Sequence, residues 1–173
     1  MRNDERCGAT GAGSESTAGR AMTQPNRNNP SRWAQGLGYG GLIPFVGLAL
    51  AMWFLAPSNH ALTASALLSY SATIVSFLGA IHWGLTMRDA PSPKAGRLVW
   101  GVIPSLMAWV ALLLPTAYGL LLIAVLLWIC FAVDRVVYPR FGLQAWLPMR
   151  RVLSIVASLS CAAAAVQLIG LTL

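Results

Sequence analysis

The chain has 173 residues, 57% of them hydrophobic and 10% charged, whereas a soluble domain usually carries about a quarter charged residues. Water cannot be the solvent for such a surface, so a soluble globular fold is excluded and lipid is expected in its place. The net charge of +7 does not signal nucleic acid: all 12 Lys and Arg residues fall in three clusters between apolar runs, not along one face, and no nucleic-acid partner is expected.

Residues 1–32 are rich in Gly, Ser, Asn and Arg and lack the apolar core of a secretory signal, so they read as a disordered basic tail. Arg2, Arg6, Arg20 and Arg27 leave a mitochondrial transit peptide as the alternative, which Asp4, Glu5 and Glu15 weaken. Residues 33–173 read as one membrane domain. Crossing the hydrocarbon core takes about twenty apolar residues. Five stretches qualify, at about 37–56, 62–87, 98–114, 117–133 and 152–173. The expected fold class is therefore all-α, a polytopic membrane helix bundle with five transmembrane helices.

The first span carries Pro44, and a weak GxxxG pair, Gly36 and Gly40, precedes it. Proline in a helix frees the carbonyl four residues earlier and bends the axis, so a kink is expected at Pro44, freeing Gly40. The second span places Ala72, Ser76, Ala80 and Gly84 at four-residue spacing, the composition of a close helix contact in lipid. It also holds His82 about one turn from its end. The third span carries Pro104, a second expected kink, which frees Trp100. Gly41-Leu42-Ile43-Pro44 and Gly101-Val102-Ile103-Pro104 form a weak internal repeat, read either as chance or as a parallel duplication. A tight hairpin at Pro115 leads to the fourth span, whose run from Leu120 to Leu127 reads as largely lipid-facing, with Asp134 and Arg135 at its end. The fifth span carries Ser154, Ser158 and Ala162 on one face. That face is expected to pack on the second span.

Charge sets the direction. The basic segments are the tail, the loop with Arg88, Lys94 and Arg97, and the loop with Arg135, Arg140, Arg150 and Arg151. Five spans put all three on one side, which the positive-inside rule makes the cytoplasm, or the matrix of a mitochondrion. The N-terminus is then in and the C-terminus out. Trp33, Trp83, Trp100 and Trp146 near inner span ends, with Trp53 and Tyr118 near outer ones, fit an interfacial belt, while Trp109 and Trp128 lie deeper and read as packing residues.

Little in the chain reads as chemistry. Cys7, Cys130 and Cys161 show no metal-ligand spacing, and the two in spans read as small hydrophobes. His60 reads as an exposed loop histidine. It is 22 positions from His82, roughly 30 Å along a helix, so the pair cannot share a ligand. No metal, cofactor or catalytic constellation is expected. Ionisable residues in spans are site candidates by default. His82, Asp134 and Arg135 therefore form a candidate polar cluster at the inner side; alternatively Arg135 or Arg88 takes the carboxylate, and Asp134 is then a topology anchor rather than a site. The bland alternative is that His82 and Asp134 simply reach the headgroups.

Leu42-Ile43-Pro44-Phe45, Ser76-Phe77-Leu78-Gly79-Ala80-Ile81-His82-Trp83-Gly84 and Pro104-Ser105-Leu106-Met107-Ala108-Trp109 resemble the transmembrane-protein-69-like family. Its members are bacterial inner-membrane and mitochondrial proteins sharing a domain of unknown function. The resemblance covers Leu37 to Leu173 and implies a bacterial inner (plasma) membrane location, or the mitochondrial inner membrane as the alternative. It supplies no activity. The segment Trp146 to Arg151 departs from the family pattern, so the resemblance assigns no role to Trp146 or Arg150. Two functional expectations stand. One is a non-enzymatic accessory or assembly subunit whose partners are the lipid bilayer and other membrane proteins. The other is a small transporter or channel with proton coupling through His82.

Overall fold

The structure, a computed structural model, describes residues 30–88 and 95–170. The tail to residue 29, Asp89, Lys94 and residues 171–173 lie outside them. Among the described residues every regular element is helical: α1 (Arg32–Gly40), α2 (Leu42–Phe54), α3 (His60–Arg88), α4 (Ala95–Leu113), α5 (Thr116–Val137) and α6 (Leu147–Gly170), with short 3-10 turns at Pro57–Asn59, Tyr138–Phe141 and Gln144–Trp146. With α1 and α2 read as one segment, five helices are long and apolar enough to cross a membrane among the described residues.

Local chemistry sets the breaks. Ser31 caps α1 by accepting from the Ala34 N–H at 3.1 Å, the usual device for an orphan donor. The first span is interrupted at Gly41, three residues before Pro44. Pro44 has no N–H to offer the Gly40 carbonyl, and the next carbonyl, that of Gly41, accepts from the Tyr70 hydroxyl of α3 at 2.8 Å. The break is thus tied at Gly41 to a neighbouring helix. α4 by contrast runs unbroken through Pro104, which is buried. The two proline motifs of the weak repeat therefore have different backbones. At the α4–α5 hairpin, Pro115 opens α5 and the Gly119 N–H returns to its carbonyl at 3.0 Å.

The spans close into a ring. α2 packs on α3 and α6, α4 on α3 and α5, and α5 on α6, while α3 and α5 also meet across the middle. Phe45, Met52, Leu67, Leu120, Ile123 and Leu127 fill the centre. Lipid tails are as apolar as leucine, so close fit and hydrogen bonds, more than a hydrophobic gain, hold such a ring together.

Three sequence expectations are corrected here. First, the stripe Ala72, Ser76, Ala80, Gly84 is not the packing face of α3: Ala72 is buried, Ser76 half-buried, and Ala80 and Gly84 exposed. A Cβ on Gly84 would meet nothing. Four residues overshoot one 3.6-residue turn by about 40°, so three such steps rotate the stripe by about 120° out of the interface. The close approach lies one position away, where Gly79 meets Gly101 of α4. A Cβ on Gly101 would stand 3.1 Å from the Gly79 carbonyl and 2.8 Å from the Trp83 indole nitrogen. That indole donates to the Leu98 carbonyl at 2.9 Å, bolting the crossing. Second, only part of the α6 face turns to the second span: Ser154 lines a cavity with Ile74, Phe77 and Leu78 of α3, whereas Ser158 and Ala162 line a groove with Leu121, Ala124 and Val125 of α5. α3 and α6 touch more narrowly, through Ser71 and Cys161 at 3.4 Å. Third, α5 turns one side of the Leu120–Leu127 run inward, with Leu120 and Ile123 fully buried and Leu126 6% exposed, while Val125 stays exposed and Trp109 and Trp128 face outward. An all-round apolar helix suits lipid and core equally, so hydropathy could not separate them.

Candidate functional site

Three helices bring one ionisable side chain each to a single buried point. His82 lies two turns from the end of α3, Asp134 in the last turn of α5, and Arg150 in the first turn of α6. Their exposures are 1%, 2% and 7%. Arg150 donates from Nε at 2.9 Å and from Nη2 at 2.6 Å to Asp134 Oδ2. His82 Nε2 lies 3.1 Å from Oδ1. An ionised carboxylate only accepts, so His82 carries a proton on Nε2 and donates it there. Both carboxylate oxygens are engaged, and the Asp134–Arg150 charges cancel.

The surroundings fix the histidine. Thr86 Oγ1 donates to the His82 carbonyl at 2.8 Å. The Trp100 indole stands edge-on to the imidazole, with centroids 6.4 Å apart and planes at 87°. Tyr138, itself buried, borders the Asp134–Arg150 pair. Two buried nitrogens beside the pair, His82 Nδ1 and Trp100 Nε1, have no hydrogen-bond partner among the described residues. Among the described residues, no group of three His, Cys, Asp or Glu side chains is placed to hold a metal ion.

Of the expected cluster, the structure brings His82 and Asp134 together and leaves Arg135 out. Arg135 is exposed on a different flank of α5. Adjacent helical residues diverge by about 100°, so Arg135 cannot reach the carboxylate that precedes it. The cation is Arg150, which sequence reasoning missed. Arg150 brings the fifth span, α6, into the cluster. One signal was available: a buried carboxylate demands a cation on another element, and the Arg150-Arg151 pair at the mouth of the fifth span offers two. His60 is a further correction. It is 5% exposed, and its Nε2 lies 3.1 Å from the Leu55 carbonyl, pinning the turn between α2 and α3.

Five apolar spans closed around a buried, charge-balanced triad define a polytopic helical membrane protein. The chain belongs to the family described as "Protein of unknown function (DUF3429)", which it matches over residues 30–166. It is similar to Transmembrane protein 69 of Xenopus tropicalis, at 39% identity over 79 residues covering 44% of this chain and 31% of that protein. The match thus spans less than a third of the relative's length. No solved structure matches the chain.

Proposed function

We propose that this protein is a non-enzymatic accessory or assembly subunit of an inner-membrane complex, with the N-terminus on the cytoplasmic or matrix side. One observation carries the reading. The charged groups of the triad are committed to one another, with both Asp134 oxygens engaged by Arg150 and His82. A group that shuttles protons has to exchange partners, whereas these fasten α3, α5 and α6. The direction rests on charge: Arg32, Arg88, Arg97, Arg135, Arg140, Arg150 and Arg151 all lie at the same end of the alternating spans.

The test is isolation in mild detergent. A second membrane protein held at fixed stoichiometry, and recovered again through a tag on that second protein, supports the subunit reading. A single competing observation, that His82 Nδ1 beside Trp100 has no partner among the described residues, favours proton-coupled transport. That reading gains if the protein isolates alone and proteoliposomes containing it dissipate an imposed pH gradient, with His82→Ala abolishing the leak.

A further inference from the structure

The second arginine of the Arg150-Arg151 pair has a different setting from the first. Arg151 and Arg135, both exposed, line one pocket of about 340 Å³ together with Gln144, Phe131, Leu147 and Pro148. The helical geometry that turns Asp134 and Arg150 inward turns their neighbours Arg135 and Arg151 outward onto the same site. The carboxylate nearest to them in sequence, Asp134, is already taken by Arg150 and His82. Two guanidiniums lining one pocket repel each other, and an anion between them converts that repulsion into charge-assisted hydrogen bonds.

We propose that this pocket binds the phosphodiester headgroup of an anionic phospholipid. Its walls divide accordingly. Arg135 and Arg151 supply planar donors that match phosphate oxygens, and the Gln144 amide adds a donor for an ester carbonyl. Phe131, Leu147 and Pro148 form an apolar floor suited to the start of an acyl chain. The level also fits. The pocket joins the end of α5 to the start of α6, at the end of the bundle where Arg97 stacks on Phe141, 4.8 Å from the ring centroid, and where the other described arginines gather. Basic pockets between membrane helices at this level bind lipid headgroups. The site is independent of the subunit reading and stands or falls without it.

Native mass spectrometry of the detergent-purified full chain tests it with three probes: phosphatidylglycerol, phosphatidylcholine and inorganic phosphate. The unaltered protein should retain phosphatidylglycerol in preference to phosphatidylcholine. Arg135→Gln with Arg151→Gln should weaken that binding about tenfold or more, the order expected for losing charge-assisted hydrogen bonds. A control with the same charge change, Arg32→Gln with Arg140→Gln, should bind like the unaltered protein. Melting in phosphatidylcholine should be the same for all three proteins. Should the double pocket variant fail to fold, the single Arg151→Gln must show part of the loss. Equal weakening in the control would reduce the effect to diffuse surface charge and overturn the proposal. So would displacement of the lipid by equimolar inorganic phosphate, which would make this a site for the free anion.

Discussion

At the residue scale, the fate of an arginine here depends on which way its helix position points. Arg150 is buried against Asp134, and Arg151, the next residue, is exposed. Removing one member of a buried ion pair leaves the other uncompensated, which costs about 3–5 kcal/mol, whereas replacing the whole pair by apolar groups is often neutral. Arg150→Ala should therefore destabilise the protein strongly. Asp134→Leu with Arg150→Met should recover most of that loss when unfolding is followed in detergent. His82→Ala and Asp134→Ala should be non-additive in a double-mutant cycle, while Arg135→Ala should leave the melting temperature unchanged. Strict additivity of the His82 and Asp134 changes would mean that the 3.1 Å contact contributes nothing to stability.

At the element scale, glycine marks where helices touch, but the operative glycines are not those in the four-residue stripe. Gly79→Ala and Gly101→Ala should each destabilise the α3–α4 crossing, because the added methyl meets backbone or the Trp83 ring. Gly119→Ala should do the same at the α4–α5 hairpin, where a Cβ would run into the Ala111 backbone carbonyl of α4. Gly84→Ala should be tolerated or mildly stabilising, since its Cβ position is open and alanine is the better helix former. Leu126→Ala, at an interior position, should cost about 2–5 kcal/mol. Thermal melts of the purified variants decide all five. The spans and the pairing of His82 with Asp134 were legible in the sequence, because hydropathic length and matched depth both act along a helix axis. Rotation about that axis was not. The stripe ending at Gly84, the burial of α5 and the choice of Arg150 over Arg135 all turn on which side of a helix faces inward, and a uniformly apolar sequence leaves no polar face to mark it.

At the scale of the whole molecule, the ring has a polar tie near each end. Gln167 Nε2 donates to the Met52 carbonyl at 3.3 Å, joining α6 to α2, and the His82–Asp134–Arg150 triad joins α3, α5 and α6 at the opposite, basic end. The proposed direction in the membrane has a direct test. In a Cys7→Ser background, a cysteine at Ser58, exposed in the turn between α2 and α3, should react with an impermeant thiol reagent applied from outside. One at Gln144, exposed at the basic end, should react only after the membrane is opened. The reverse pattern would invert the assignment.

The placement of Arg150 on α6 also bears on how the protein is made. Of the five spans in the ring, α6 leaves the ribosome last. Until it does, Asp134 sits on an inserted α5 with no cation, and α2 has no α6 to pack against. The nascent four-span intermediate therefore carries an unneutralised carboxylate at the membrane border, the sort of flaw that membrane chaperones and proteases recognise. A chain truncated before Leu147 should be degraded quickly in a pulse-chase experiment. Asp134→Asn in that truncated chain should lengthen its half-life, and supplying α6 as a separate peptide should do so only while that peptide retains Arg150. Those outcomes would show one ion pair both locking the finished bundle and reporting that its last helix has arrived.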